Sequence, residues 1–312
     1  MVGFRLPFPK VGDPYFWAMA NQSRAQGWRQ KTESFRVPLV LWLRPRGLNL
    51  LLDTVSLLKG IWKEFWRPVS QPNDDALVLV VCANYNHADW LEGGVWSMMN
   101  QTFKRWRLML VDDCSTDHSL DKLRALAHTD DRIQVIQLKE NSGAYVARNT
   151  GVSASKDAWT HVTFFDPDDV AKEDWLAHVV GRLGSNSGVV RPILKRTDAL
   201  LRGSKRLYYG YCGSLVSRDV WELLGGFVSR RVAGDTEFFL RVKRASALED
   251  IHVRYSTRVS QLCRVHDGNA SSQNLEERKR WLEHRAIELD GILTAEGLRV
   301  EPVRAEYNWV VE

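Results

Sequence analysis

The chain has 312 residues, 44% hydrophobic and 26% charged, with a formal net charge of +5, values of a globular protein long enough for one large domain or two modest ones. Residues 1–70 carry 11 Lys/Arg against 4 Asp/Glu and the rest 32 against 34, so the nearly neutral body argues against a nucleic-acid partner. Four scattered cysteines signal neither a zinc site nor a disulfide scaffold, and the chain shows neither a secretory stretch nor a membrane-spanning apolar run; the expectation is a cytoplasmic protein, soluble or peripheral at the inner face of the membrane.

Residues 1–75 read as a basic N-terminal extension that holds five of the 13 tryptophans and ends in a Pro68-to-Asp75 linker. Within it Leu48, Leu51, Leu52, Val55, Leu58, Trp62 and Phe65 share one helical face, while Asn49, Asp53, Ser56, Lys63 and Glu64 share the other. Such a helix either packs on the main domain, the commoner outcome, or lies in a membrane interface. The segment for that peripheral contact is 37–68.

From residue 76 the pattern alternates. Strands are predicted over 76–82, 108–111, 133–138 and 160–165, and helices over 89–100, 119–127 and 145–154, with helix again from 170. This β-α-β order predicts an α/β fold, a mostly parallel central sheet flanked by helices. Past residue 185 the reading is short strands (189–194, 206–211, 259–265) mixed with helices (217–224, 236–245). A main domain over 76–272 and a helical C-terminal segment over 273–312, with a long polar helix at 275–293, complete the expected organisation.

The chemistry gathers where strands end. Phe164-Phe165 leads into Asp166-Pro167-Asp168-Asp169, at the carboxyl edge where open α/β sheets bind ligands. Clustered carboxylates suit Mg²⁺ or Mn²⁺ with a substrate phosphate completing the shell. The plainer alternative is that they open the next helix, where acids favour the dipole. The first strand ends in Asn84-Tyr85-Asn86, the second in Asp112-Asp113-Cys114-Ser115-Thr116-Asp117. Thr116 or Asp117 suits a helix cap, but Asp112 and Asp113 lie at the strand end itself, where a carboxylate can accept a uracil imide N–H. The third turn runs Asn141-Ser142-Gly143 into a helix bearing Arg148, which either faces that same edge or forms a surface ion pair.

Taken in order, Asn-Tyr-Asn, Val-Asp-Asp-x-Ser-x-Asp, Asn-x-Gly-x-x-x-Ala-Arg-Asn-x-Gly and Asp-x-Asp-Asp resemble the GT-A glycosyltransferases of family 2. Asn100-Gln101-Thr102-Phe103, Gly213-Ser214-Leu215-Val216-Ser217-Arg218 and Gly225-Gly226-Phe227 are similar to that family too, so the likeness covers roughly 77–270. It implies a GT-A fold and an inverting transfer from a nucleotide-sugar donor, UDP foremost, to a glycan or lipid-linked acceptor in polysaccharide biosynthesis. By the same likeness Tyr85, Asp112, Asp113, Arg148 and Asp166 hold the nucleotide and its ribose. Asp166 and Asp168, joined by His266 in the late Arg264-Val265-His266 segment, hold a divalent metal, Mn²⁺ or Mg²⁺. Asp169 is the member of the cluster most suited to a structural part.

The general base falls on Asp235 in Gly234-Asp235-Thr236-Glu237. Two readings compete with that one: Asp235 as a helix cap, and Glu237 as the base. The family's usual pair there is Glu-Asp, so Gly234 is a departure, and Cys82-Ala83 in place of Pro-Thr is another. The first departure keeps open an inactive nucleotide-sugar-binding or scaffold protein of the same fold. A nucleotidyltransferase is disfavoured, because the turn after the first strand lacks a Gly-rich, cationic phosphate loop.

Overall fold

The computed structural model describes residues 75–156, 158–203, 206–266 and 275–311. The helical N-terminal extension expected over residues 1–75, with its 37–68 membrane segment, lies outside the described residues except for Asp75. Val78–Asn84 (β1), Trp106–Asp112 (β2), Ile133–Leu138 (β3) and His161–Phe165 (β4) are almost wholly buried apolar or β-branched runs, as strands covered on both faces must be. They pair in parallel in the order β3-β2-β1-β4.

The crossovers between them are helices: Ala88–Met99 (α1), Ser119–Ala127 (α2) and Ala144–Ala154 (α3). Strand side chains alternate between the two faces. Val78, Val80 and Cys82 pack with Leu91 and Val95 of α1 and Leu123 of α2, whereas Leu79 and Val81 pack with Ala147 and Val152 of α3. The Cys82 thiol is thus a core group, and burial pushes its pKa well up.

The chain runs outward from β1 through β2 to β3, then returns to place β4 on the other side of β1. That reversal is a topological switch point, and ligands bind such sheets at the carboxyl ends of the flanking strands. The residues following β1 and β4 are therefore the ones the topology singles out.

Where the sequence predicts helix from 170, Val170–Ala171 (β5) is instead a two-residue strand, and Trp175–Leu183 (α4) starts later. Tertiary bonds override the local preference: the Ala171 amide donates to Ser97 Oγ and the Lys172 amide to the Ser260 carbonyl. Gly188–Thr197 (β6), Arg206–Tyr209 (β7), Leu215–Ser217 (β8) and His252–Arg264 (β9) extend the sheet with mixed pairing. Arg218–Leu224 (α5), Gly234–Ala245 (α6) and Leu275–Asp290 (α7) are the helices of this half.

The C-terminal segment is not helical throughout. Tyr307–Val311 (β10) adds antiparallel to β3, where its short aromatic and β-branched run covers backbone groups that an open sheet edge would expose. No helix among the described residues is long and apolar enough to cross a membrane.

Candidate active site

The turns after β1 and β2 are stitched together by their own polar side chains. Asn84 Nδ2 donates to Asp112 Oδ1 and to Ser115 Oγ, and Asp112 Oδ2 accepts the Ser115 amide. Asn86 Oδ1 accepts the amides of Thr116 and Asp117. Asp117 accepts the Ala88 amide at the start of α1 and the Ser119 amide at the start of α2, so it serves two helix N-termini at once. Asp113 grips the third turn: its two oxygens accept the Ser142 and Gly143 amides at 2.7 and 2.8 Å. Burial raises its pKa, and these two bonds oppose the rise. Asp112 and Asp113 are both buried, whereas Tyr85, just past the strand end, is 42% exposed.

The acidic turn after β4 is divided between partners. Asp166 Oδ1 lies 2.5 Å from Arg148 Nη2. Burial works against the Arg148 charge, yet the Asp166 carboxylate, foremost among its neighbours, holds its pKa above the ordinary arginine value. Asp168 Oδ2 lies 2.9 Å from His266 Nε2. Asp169 turns into the fold, accepting the Arg264 amide, and burial followed by its two acidic neighbours pushes its pKa well up. The turn packs so tightly on α1 that a Cβ on Gly94 would stand 2.6 Å from the Pro167 carbonyl oxygen.

A third group joins this pair. Asp168, His266 and His87, the residue just before α1, have ligand atoms all within 4.8 Å of one another. The His266 ring stacks on Trp90 at 5.8 Å, which fixes its plane. Among the described residues, the buried Nδ1 of His87 has no hydrogen-bond partner, which leaves that nitrogen to be met by an ion or a water. Two imidazoles and a carboxylate fit a divalent transition-metal ion.

Asp235 stands across the edge, on the second residue of α6, and is therefore not the cap: that place is Ala233. Its Oδ1 accepts the Tyr145 hydroxyl at 2.9 Å, the Thr236 amide at 2.7 Å and the Thr236 hydroxyl at 3.3 Å. A carboxylate in the first turn of a helix also meets the positive end of the dipole. Glu237 cannot serve as base, since its side chain is wholly buried between Arg241 and Arg285. Left-handed non-glycine residues cluster here as well, with Asn86 at φ 56°, Cys114 at 60° and Ala233 at 66°, a strain that proteins keep at functional sites.

The family described as Glycosyl transferase family 2 matches residues 79–239. The chain belongs to glycosyltransferase family 2. One relative is TuaG of Bacillus subtilis (strain 168), whose name places it among teichuronic acid biosynthesis glycosyltransferases; it is 40% identical over 111 residues, 36% of this chain and 40% of TuaG. Another is the Escherichia coli UDP-Glc:alpha-D-GlcNAc-diphosphoundecaprenol beta-1,3-glucosyltransferase WfgD, 30% identical over 34% of this chain and 38% of its own. The chain thus spans about two fifths of the length of these relatives. Among solved structures, S. aureus TarS 1-349 in complex with UDP-GlcNAc superposes with TM-score 0.56 over 70% of both chains at 18% identity. The mannosyltransferase PcManGT from Pyrobaculum calidifontis, in complex with GDP-Man and Mn²⁺, gives 0.54 over 75% of this chain and 70% of its own, also at 18%. At that identity the likeness shows the fold, and the fold is GT-A.

Of the residues singled out in the sequence of this family 2 chain, the structure pairs Arg148 with Asp166 and Asp168 with His266, and links Arg148 to Asp235 through Tyr145. It gives Asp113 a loop-holding role. Sequence reasoning missed His87 and Tyr145. The available signal for His87 was its place, a histidine between the first strand's polar turn and the next helix.

Proposed function

We propose that this glycosyltransferase moves a sugar, with inversion, from a nucleoside-diphosphate donor to a hydroxyl of a glycan or lipid-linked acceptor. Support comes from the run of contacts Asp166–Arg148–Tyr145–Asp235, which joins the acidic turn at one end to an isolated carboxylate at the other. The nucleotide lies along the β1–β2 turns, its base against Tyr85, with Asp112 and Asp113 shaping the floor. UDP is the expected carrier. Asp166, set by Arg148, meets the ribose and the sugar end of the diphosphate, and Asp168, His266 and His87 hold a divalent cation. The bound cation supplies charge neutralisation at the departing diphosphate.

Asp235 removes the acceptor proton. As the hydroxyl oxygen bonds to the anomeric carbon, the bond from that carbon to the diphosphate oxygen breaks and the proton passes to the Asp235 carboxylate. Thr236 and Tyr145 fill Oδ1, so Oδ2 is the oxygen that meets the acceptor. Lipid-linked acceptors would bring the protein to the inner membrane face, with residues 37–68 as the contact; deleting them should then move activity out of the membrane fraction.

The test is a screen of UDP-, GDP- and TDP-sugars with Mn²⁺, reading nucleotide release and transfer by mass spectrometry. Asp235→Asn should lower turnover by roughly 10²- to 10⁴-fold while UDP with Mn²⁺ still raises the melting point. Nucleotide binding without any turnover in the unaltered protein would favour a scaffold instead.

A further inference from the structure

Gly234 and Tyr145 occupy one space. A Cβ built on Gly234 would stand 2.8, 2.9 and 3.0 Å from three carbons of the Tyr145 ring, closer than real side chains approach one another. The ring therefore lies on bare backbone at the first residue of α6, and no larger residue at 234 fits beside it. Its outer face is packed too, 5.4 Å from Phe227, with the Arg148 guanidinium 5.3 Å from the ring. So held, the hydroxyl reaches Asp235 Oδ1 at 2.9 Å. Burial, and next the Asp235 charge, push the phenol pKa far above its ordinary value, which keeps the proton on Tyr145 and makes it a permanent donor.

We infer that Tyr145 is the positioning residue for the base, and that Gly234 is the vacancy that admits it. The inference rests on the reading of Asp235 as base. Two soft torsions decide where a carboxylate points, and a carboxylate at a helix start is normally free to turn toward water. Here the hydroxyl, with Thr236, holds Oδ1, and Oδ2 takes no part in those bonds. Because Tyr145 and Arg148 stand three residues apart at the start of α3, neighbours on one helix face, the same helix start orients Asp166 on the donor side. One helix start thus sets the donor carboxylate and the base relative to each other, a placement to which transfer is highly sensitive.

Tyr145→Phe keeps the ring and removes only the hydroxyl. With the sugar nucleotide that the wild type turns over fastest, kcat should fall about tenfold, with the donor KM and the affinity for UDP plus Mn²⁺ unchanged and the melting temperature lower by a few degrees at most. In an Asp235→Asn background the same substitution should cost nothing further, since residues acting through one group are not additive. Gly234→Ala, which displaces the ring by sterics alone, should reproduce the kcat loss without touching Tyr145 chemically. An unchanged kcat for Tyr145→Phe, or an equal loss in both backgrounds, would overturn the inference and leave the base reading standing. Full turnover by Asp235→Asn would remove the base reading itself, and the inference with it.

Discussion

The two halves of the sheet build their share of the site by different means. In residues 78–169 the site residues lie at the ends of parallel strands or, for Tyr145 and Arg148, on the helix after one, and the turns are fixed by neighbours: Asn84 on Ser115, Asn86 on Thr116, Asp113 on Ser142 and Gly143. In the second half the proposed base, Asp235, comes from a helix start, and what holds that helix is charge buried in the core. Arg241 makes two bonds to Glu237 and donates to the Leu224 and Gly226 carbonyls, while Arg285 of α7 reaches Glu237 from the other side. Local turns hold the loops of the first half, whereas α6 is held by a few strong contacts, to the Leu224 and Gly226 carbonyls and to Arg285 of α7.

Breaking one of those anchors should have the largest effect on stability. Glu237 and Arg241 have fully buried side chains, and removing one member of such a pair typically costs about 3–5 kcal/mol, because the remaining charge is left uncompensated. Glu237→Ala should therefore lower the unfolding free energy by that amount in urea, with Asp113→Ala, in the first half, costing less because its amides can turn to water. A Glu237→Ala effect under about 1 kcal/mol would erase the distinction between the halves.

Metal binding sharpens the comparison, since His87 belongs to the first half and His266 to the end of the second. His87→Ala should weaken Mn²⁺ binding, followed by titration of its electron paramagnetic signal without nucleotide, by at least about tenfold. Imidazole donors also favour transition metals over Mg²⁺, so the loss should be smaller for Mg²⁺. Equal Mn²⁺ affinity in wild type and His87→Ala would take His87 out of the site and leave the cation to Asp168 and His266 with the rest of the acidic turn.

Most of the first half was legible in the sequence because its signals are local. The helix expected over 119–127 and the strand over 133–138 coincide with the observed elements, since apolar periodicity and turn residues lie within the segments themselves. The acidic turn, Arg148 and Asp235 were found through motif order. What stayed hidden depends on distant partners. His87 gains meaning only beside Asp168 and His266, and Gly234 only beside a tyrosine 90 residues away from its neighbour Asp235. The short strand at 170 and the C-terminal strand escaped for the same reason, their pairing being supplied by β9 and β3 rather than by their own pattern.

Acid asks which half yields first, and each half contains one reporter. His161 sits in β4 and His178 in α4 beneath β9, where its Nε2 accepts the Thr257 amide. Burial foremost depresses each pKa from 6.5 to about 4. A depressed value means that the unfolded chain binds the proton first, so this contribution is whole above pH 6.5 and is lost as pH falls toward 4. The slope is about 1.4 kcal/mol per pH unit for each group. Melting temperature should thus be flat above pH 7 and decline between 6.5 and 4.5. Gln at either position should shallow that decline, whatever it does to the level at neutral pH. In His178 the proton must also displace a backbone donor from Nε2, which ties its titration to the α4–β9 contact. If the second half is the one held by fewer, stronger contacts, amide exchange at pH 5 should rise first around Thr257 and later along β4, and the reverse order would assign the acid-sensitive core to the parallel strands.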